Sequence, residues 1–354
     1  MKHISLSLAL VLLIAAITLS GCGQPATTGN TQTAAGATTA AQQTPQENKA
    51  SLKLRCGGYE ADGTSVDAAI DEWAEAVRGA TEGRIDISNY PASQLGTLQE
   101  MQEAVRLGTL DMCQTDPSMM TNLQREWGIL SLPFLMRDYD HFQAFIKSDL
   151  LKEMNEFTAK ENNLINIGWF YKGFRCFCTN RDISTADARY GLKLRSPEAQ
   201  IYIDTFTRLG FSPTPISWSD TYTSFQTGIV DGCDTVPESI VNLEFWTVGK
   251  YITRANHMLS LNSLSINSGI WAKIHPDDQA VMIKLADEIF GKQCSSQLAK
   301  DLDYYKTMSD AGAIIVDLDE ASLKEIKEVF QEYWHEYVKD MPRGAGIVET
   351  INNM

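Results

Sequence analysis

The sequence is poor in the signals that mark catalytic, metal and nucleotide sites. It contains no GxSxG, no phosphate-binding P-loop and no GxGxxG, so nothing points to a hydrolase elbow or a dinucleotide fold. Histidine occurs five times (His3, His141, His257, His275 and His335), and no two are spaced as metal ligands. Glu336 follows His335, but the second histidine of a zinc-protease helix is missing. The seven cysteines include no CxxC and are too few for a disulfide scaffold. Positive charge is in deficit: 30 Lys and Arg face 45 Asp and Glu, a formal net charge of −15. So acidic a chain offers no basic face to a nucleic-acid backbone, and its folded body offers none to anionic lipid. No metal and no cofactor are expected. A Ser-His-Asp set spread along the chain stays open, because triad members need not be neighbours, yet no serine is marked out.

What is present begins with a targeting pattern. Lys2 and His3 precede an apolar stretch from Ile4 to Leu19 that is short for a membrane span. It ends in "LSGC", which resembles a bacterial lipobox with Cys22 as the lipidated residue. Residues 1–22 are therefore expected to be a lipoprotein signal peptide. Residues 23–50 carry no large apolar side chain and cannot bury enough surface to offset their ordering entropy. They are expected to form a disordered tether reaching roughly 30 Å as a random coil. The folded body would then be an extracytoplasmic, membrane-anchored lipoprotein.

From residue 51 strands and helices alternate. "SLKLRCGGY" predicts a strand, and the next segment places Val66, Ile70, Trp73 and Val77 on one helical stripe. A strand with Ile85 and Ile87 follows, then a helix with Leu98, Met101 and Val105 inward and Gly108 as its cap. "LDMCQTD" predicts a third strand. The pattern restarts near residue 164 with an extended run interrupted by Gly173, in which Cys176 and Cys178 share one face and read as small buried strand residues. Repeated units of this kind imply α/β lobes with largely parallel sheets and a cleft between them. Residues 277–311 form one helical pattern, weakly broken at Gly291; it is either two kinked helices or one element packing on both lobes. A strand and a final amphipathic helix ending near Met341 close the chain.

One residue stands out against the charge balance. Arg195 ends the strand "GLKLRSP", and Pro197 stops it there. The exit of a strand is where α/β proteins place ligand-binding groups, so an acidic protein with a cation at that point is equipped to hold an anion.

The chain resembles an extracytoplasmic solute-binding protein of the TRAP (tripartite ATP-independent periplasmic) transporters, the DctP-like family. The resemblance runs through roughly residues 52–340. It is carried in order by "TEGRIDISNYPASQLGTLQEMQEAVRLGTLD", "LSLPFLMRDYDHF", "GWFYKGFRCFCTN" and "GLKLRSPEAQIYIDTFTRLGFSPTPISWSDTYTSFQTGIVDG". It implies an α/β, two-lobed periplasmic-binding-protein-like fold with a ligand cleft and a long bracing helix. Residues 51–172 with 261–300 would form one lobe, and residues 173–260 with 301–354 the other. Arg195 matches the family's carboxylate-binding arginine, whose planar fork pairs with a carboxylate through two parallel hydrogen bonds. Arg175 matches a second ligand-facing position. Trp218 falls where relatives carry an aromatic ring lining the pocket, and a core position suits it equally. Glu60, Asp116, Ser118 and Phe134 match pocket-facing loops of the opposite lobe. In "CDTVPES" Asp234 matches the family's acid, Thr235 stands where relatives carry a ligand-touching asparagine, and Val236 is inserted before Pro237.

The resemblance thus implies a non-enzymatic monomer that captures a small organic acid and delivers it to TRAP membrane permease subunits. Nucleic acid has no part in it. Whether the acid carries one carboxylate or two stays open. So do the alternatives of a receptor for another importer or sensory system, or an exported enzyme using the same cleft.

Overall fold

Alternation of exposed Lys53 and Arg55 with buried Leu54 and Cys56 makes β1 (Leu52–Gly57) a strand with one buried face. The next helix, Ser65–Ala80, buries Val66, Ile70, Trp73 and Val77, the predicted stripe, and is capped by Thr64, whose side chain accepts from the Asp67 N–H. It leads to β2 (Ile85–Tyr90), which runs parallel to β1. The computed structural model describes residues 51–318 and 320–354. The expected signal peptide, Cys22 and the tether lie outside the described residues.

The remaining strands follow in order. They are β3 (Met112–Thr115), β4 (Leu164–Phe174), β5 (Cys176–Thr179), β6 (Lys193–Ser196) and β7 (Ser212–Pro215). Next come β8 (Gly232–Thr235), β9 (Tyr251–Arg254), β10 (Leu259–Asn267) and β11 (Ile314–Asp317). They form two sheets, in the orders β2-β1-β3-β10-β4 and β11-β9-β5-β8-β6-β7. The molecule is thus a two-lobed α/β protein.

The sheets are mixed, not uniformly parallel. β10 is antiparallel to β3 and β4, and β5 is antiparallel to β8 and β9. The chain crosses directly from one sheet to the other after β4 and again after β9, and a third time through a helix between β10 and β11. A strand that crosses directly enters at the edge where the parallel strands end, so it must run the opposite way. Gly173 sits at the first crossing with φ +96°, and a Cβ there would lie 2.9 Å from Asp301 Oδ1, so both conformation and space call for glycine. Cys176 and Cys178 are fully buried in β5.

Pro276–Asp310 is one uninterrupted 35-residue helix, continuous through Gly291. Its first half packs Met282, Ala286 and Phe290 into the core of the first sheet, with the Phe290 ring 4.2 Å from Phe170. Its second half places Met308 in the core of the second sheet. The helix therefore braces both lobes. After β11 come Glu320–Val338 and a further helix, Gly344–Asn352, that periodicity did not announce. These C-terminal helices also touch both sides. Tyr333 donates to Asp204 at 2.9 Å and Arg208 pairs with Glu336, while the Trp334 indole donates to Pro133 O at 2.8 Å and Arg137 to Asn352 O at 2.8 Å.

Candidate functional site

In both sheets the parallel strands end at the same place, facing each other across the crossings. A cavity of about 640 Å3, its open mouth included, lies there. The first lobe lines it with Tyr59 and Glu60 after β1, the segment Thr97–Gln99 after β2, Asp116 and Ser118 after β3, and Lys172 near the end of β4. The second lobe contributes Arg195 in β6, Glu198 and Tyr202 just beyond it, Trp218 after β7, and Thr235 at the end of β8; Arg175 stands at the crossing itself. Topology alone thus gathers segments far apart in sequence.

Arg195 is only 4% exposed, yet it has no carboxylate at ion-pair distance among the described residues. Its Nε donates to Ile216 O at 2.9 Å, and its guanidinium lies 5.5 Å from the centre of the Trp218 ring. Burial, and then the neighbouring Arg175 charge, push its pKa down to about 10, so it stays cationic near neutrality but poorly compensated. Its terminal nitrogens have no hydrogen-bond partner among the described residues, and the side chain borders the cavity.

Arg175 is arranged differently. Its Nε donates to Asp234 Oδ1 at 2.6 Å and its Nη2 to Asp234 O at 2.8 Å. The Asp234 Oδ2 lies 3.0 Å from His257 Nε2, and His257 stacks on Phe177 with ring centres 4.6 Å apart. Burial works against the Arg175 charge, but Asp234 outweighs it and the pKa rises. Burial likewise opposes ionisation of Asp234, and Arg175 with His257 overcomes it and holds the carboxyl below its ordinary range. Most of the charge of Arg175 is therefore spent inside the protein.

On the first lobe, Lys172 forms a short, buried ion pair with Glu60, and its ammonium lies 5.5 Å from the centre of the Tyr59 ring. Asp116 caps the short turn of helix that follows β3, accepting from the Ser118 N–H at 2.8 Å and the Ser118 hydroxyl at 2.6 Å. Two further contacts tie the lobes beside the cavity. Glu238 of the second lobe accepts from the backbone N–H and hydroxyl of Ser65, at 2.8 and 2.9 Å, at the N-terminus of a first-lobe helix. Burial raises the Glu238 pKa despite those bonds. Close by, Asp301 of the long helix accepts from the Tyr171 hydroxyl at 3.2 Å, and burial pushes its pKa up to about 7.

Of the residues singled out in the sequence, Arg195, Arg175, Trp218, Thr235, Glu60, Asp116 and Ser118 line one cavity. Trp218 serves both roles left open for it, since its ring also packs 5.9 Å from Phe245. Two residues are placed elsewhere. Asp234 is fully buried behind Arg175, because strand alternation turns its side chain away from the cavity that Thr235 borders. Phe134 has φ +61°, donates its N–H to His257 O at 2.8 Å, and turns its ring onto Phe330, 6.1 Å away. Sequence reasoning missed Lys172, Tyr59, Tyr202 and His257. A lysine inside the aromatic run "GWFYKGF" is a signal for a buried charge that was available. His257 gave none, since its partner Asp234 is remote in sequence.

The comparisons agree with this geometry. The family model described as DctP, bacterial extracellular solute-binding protein, family 7, matches residues 56–340. The sialic acid-binding periplasmic protein SiaP of Vibrio cholerae is 24% identical over 79% of this chain and 86% of that protein. The 2,3-diketo-L-gulonate-binding periplasmic protein YiaO of Escherichia coli is 24% identical over 84% of this chain and 90% of its own length. A TRAP periplasmic solute-binding protein from Haemophilus influenzae with bound L-gulonate superposes with a TM-score of 0.81 at 22% identity, covering 85% of this chain and 99% of that one. Another, from Sulfitobacter with bound β-D-galacturonate, gives 0.81 at 19% identity, covering 86% and 100%. At these identities the structural likeness establishes the fold.

Proposed function

The chain belongs to bacterial extracellular solute-binding protein family 7, and from that premise we propose that it captures a small organic acid outside the cytoplasm and delivers it to the membrane permease of a TRAP-type transporter. One observation carries this reading: a buried guanidinium, that of Arg195, borders an interlobe cavity with no carboxylate partner among the described residues. A buried cation without a counter-charge is costly, and a ligand carboxylate supplies the missing one through two parallel hydrogen bonds. Arg175, held by Asp234, adds a donor edge and a positive field without being a second anchor. Trp218, Thr235 and Ser118 complete the wall around the ligand. The bound solutes of the Haemophilus and Sulfitobacter proteins, gulonate and galacturonate, are acids of this kind.

Binding without turnover is part of the proposal, as is closure of the two lobes over the acid. So is anchoring: lipidation of Cys22 and a tether over residues 23–50 would keep a monomeric receptor near its permease. Mass spectrometry of the solute that co-purifies with the protein, followed by calorimetry with that acid and its amide, tests the central claim. The acid is expected to bind and the amide not. A neutral sugar binding more tightly than any acid would overturn the reading. Fatty-acid labelling of wild type but not Cys22→Ala tests the anchor.

A further inference from the structure

We infer that Asp116 is a specificity-determining residue: it selects acids with one carboxylate and a hydrogen-bond-donating opposite end, and turns away a second carboxylate. This rests on the solute-binding reading of the cavity.

The charges on the wall decide it. Three cations border the cavity, but Arg175 is committed to Asp234 and Lys172 to Glu60. Arg195 is left to hold an anion. Three carboxylates border it as well. Glu60 is neutralised by Lys172, and Glu198 is exposed beside Pro197. Asp116 is half-buried, and among the described residues no Lys, Arg or His stands at ion-pair distance from it. Its Oδ1 is occupied by Ser118, while its Oδ2 has only a long approach of 3.5 Å from Asn262 Nδ2. Asn262 is itself fixed by Tyr59 and Gln114, each donating to its Oδ1 at 3.0 Å, so the acceptor is rigidly presented. Arg195 and Asp116 belong to opposite lobes and share this cavity. Burial makes the Tyr202 hydroxyl, on the same lining, hold its proton more tightly; Arg175 and Arg195 oppose this and Asp116 adds to it.

A ligand spanning these two groups meets a cation at one end and an unpaired acid at the other. A hydroxyl or an ammonium donates to the free Oδ2. A second carboxylate placed there would face a like charge with no unspent cation to offset it, a juxtaposition that disfavours binding strongly. Polyhydroxy acids and zwitterionic amino acids share the required chemistry.

Calorimetry on the full chain distinguishes them. The panel pairs acids differing in one end: D-gluconate with D-glucarate, L-glutamine with L-glutamate, and C3 to C8 monocarboxylates with dicarboxylates of equal length. The expected result is that, in the pair that binds, the monocarboxylate is at least tenfold tighter; which pair binds assigns the donor at the far end, hydroxyl for gluconate or carboxamide N–H for glutamine. Asp116→Asn keeps an acceptor for the helix cap, and an unchanged melting curve checks its fold. It is expected to close that gap at least tenfold by raising dicarboxylate affinity. Tighter dicarboxylate binding by wild type, or a gap untouched by Asp116→Asn, overturns the inference while leaving the solute-binding reading intact. Failure of every acid to bind, with Arg195→Ala indistinguishable from wild type, overturns the solute-binding reading itself and this inference with it.

Discussion

The two walls of the cavity are built on one plan with opposite signs. The first-lobe wall holds a buried pair, Glu60 with Lys172, and one acid with no cation at ion-pair distance among the described residues, Asp116. The second-lobe side holds a buried pair, Arg175 with Asp234, and, besides the exposed Glu198, one buried cation with no acid at ion-pair distance among the described residues, Arg195. Paired charges are expensive to desolvate and expensive to break, so they fix the shape of the wall. Unpaired charges add little to the fold and leave their hydrogen-bonding capacity for a ligand. A count of basic residues near the cavity would suggest a strongly cationic site; the pairing leaves one buried cation uncommitted among the described residues, which is the basis of the proposed anchor and its counter-polar end.

The distinction breaks most visibly at Asp234. Asp234→Ala would leave Arg175 and Arg195 alike, two buried cations side by side, and is expected to cost about 3–5 kcal/mol of stability. Urea denaturation reads this as a lower midpoint at unchanged slope; an unmoved midpoint would mean the pair does not hold the wall. Arg195→Ala should behave in the opposite manner. Affinity for the acid is expected to fall by about 2–5 kcal/mol in calorimetry, while the unliganded protein melts no lower than wild type. Arg195→Lys should recover only part, since a point charge lacks the fork; undiminished affinity in the alanine variant would remove Arg195 as the anchor.

A smaller effect is expected where the walls are tied together. Glu238→Ala removes the acceptor of the Ser65 N–H and hydroxyl. The unliganded protein should open, read as a larger radius in small-angle scattering, with apparent affinity lowered by about tenfold or less. No change in either would show that the contact does not bias the lobes. The smallest effect belongs to Asp301. Its folded pKa, about 7, lies above the ordinary carboxylate value, so its ionisation penalises the folded state above pH 7, and the penalty fades as pH falls toward 4. Asp301→Asn is expected to melt about 2 °C higher or less at pH 8 and level with wild type near pH 4. A gain that persists at pH 4 would assign the effect to packing instead.

Much of this was legible in the chain. The helix stripe of Val66, Ile70, Trp73 and Val77 and the cap at Gly108 follow from local pattern, while the run over 277–311 read as helical but left one helix or two open until the structure showed one. Arg195 was visible because a proline marks the strand end beside it. The antiparallel strands β5 and β10 were not, since strand direction is set by where the chain re-enters a sheet, which no local pattern records. Pairing was hidden for the same reason. Nothing near Arg175 announces Asp234, and nothing near Asp234 announces His257; three segments meet only once the second sheet is assembled. The last helix, Gly344–Asn352, was missed because its apolar positions Ile347, Val348 and Ile351 follow a glycine-rich start that reads as a loop.

The uninterrupted helix Pro276–Asp310 has one more consequence. Phe290 belongs to the core under one sheet and Met308 to the core under the other, on the same continuous backbone. Neither half of the molecule can melt while the other stays native without ending that helix in mid-course and stripping one core of a wall. Heat should therefore dissolve both halves together, as a single calorimetric transition whose van't Hoff and calorimetric enthalpies agree. Two lobes proposed to close over a ligand would then come apart as one.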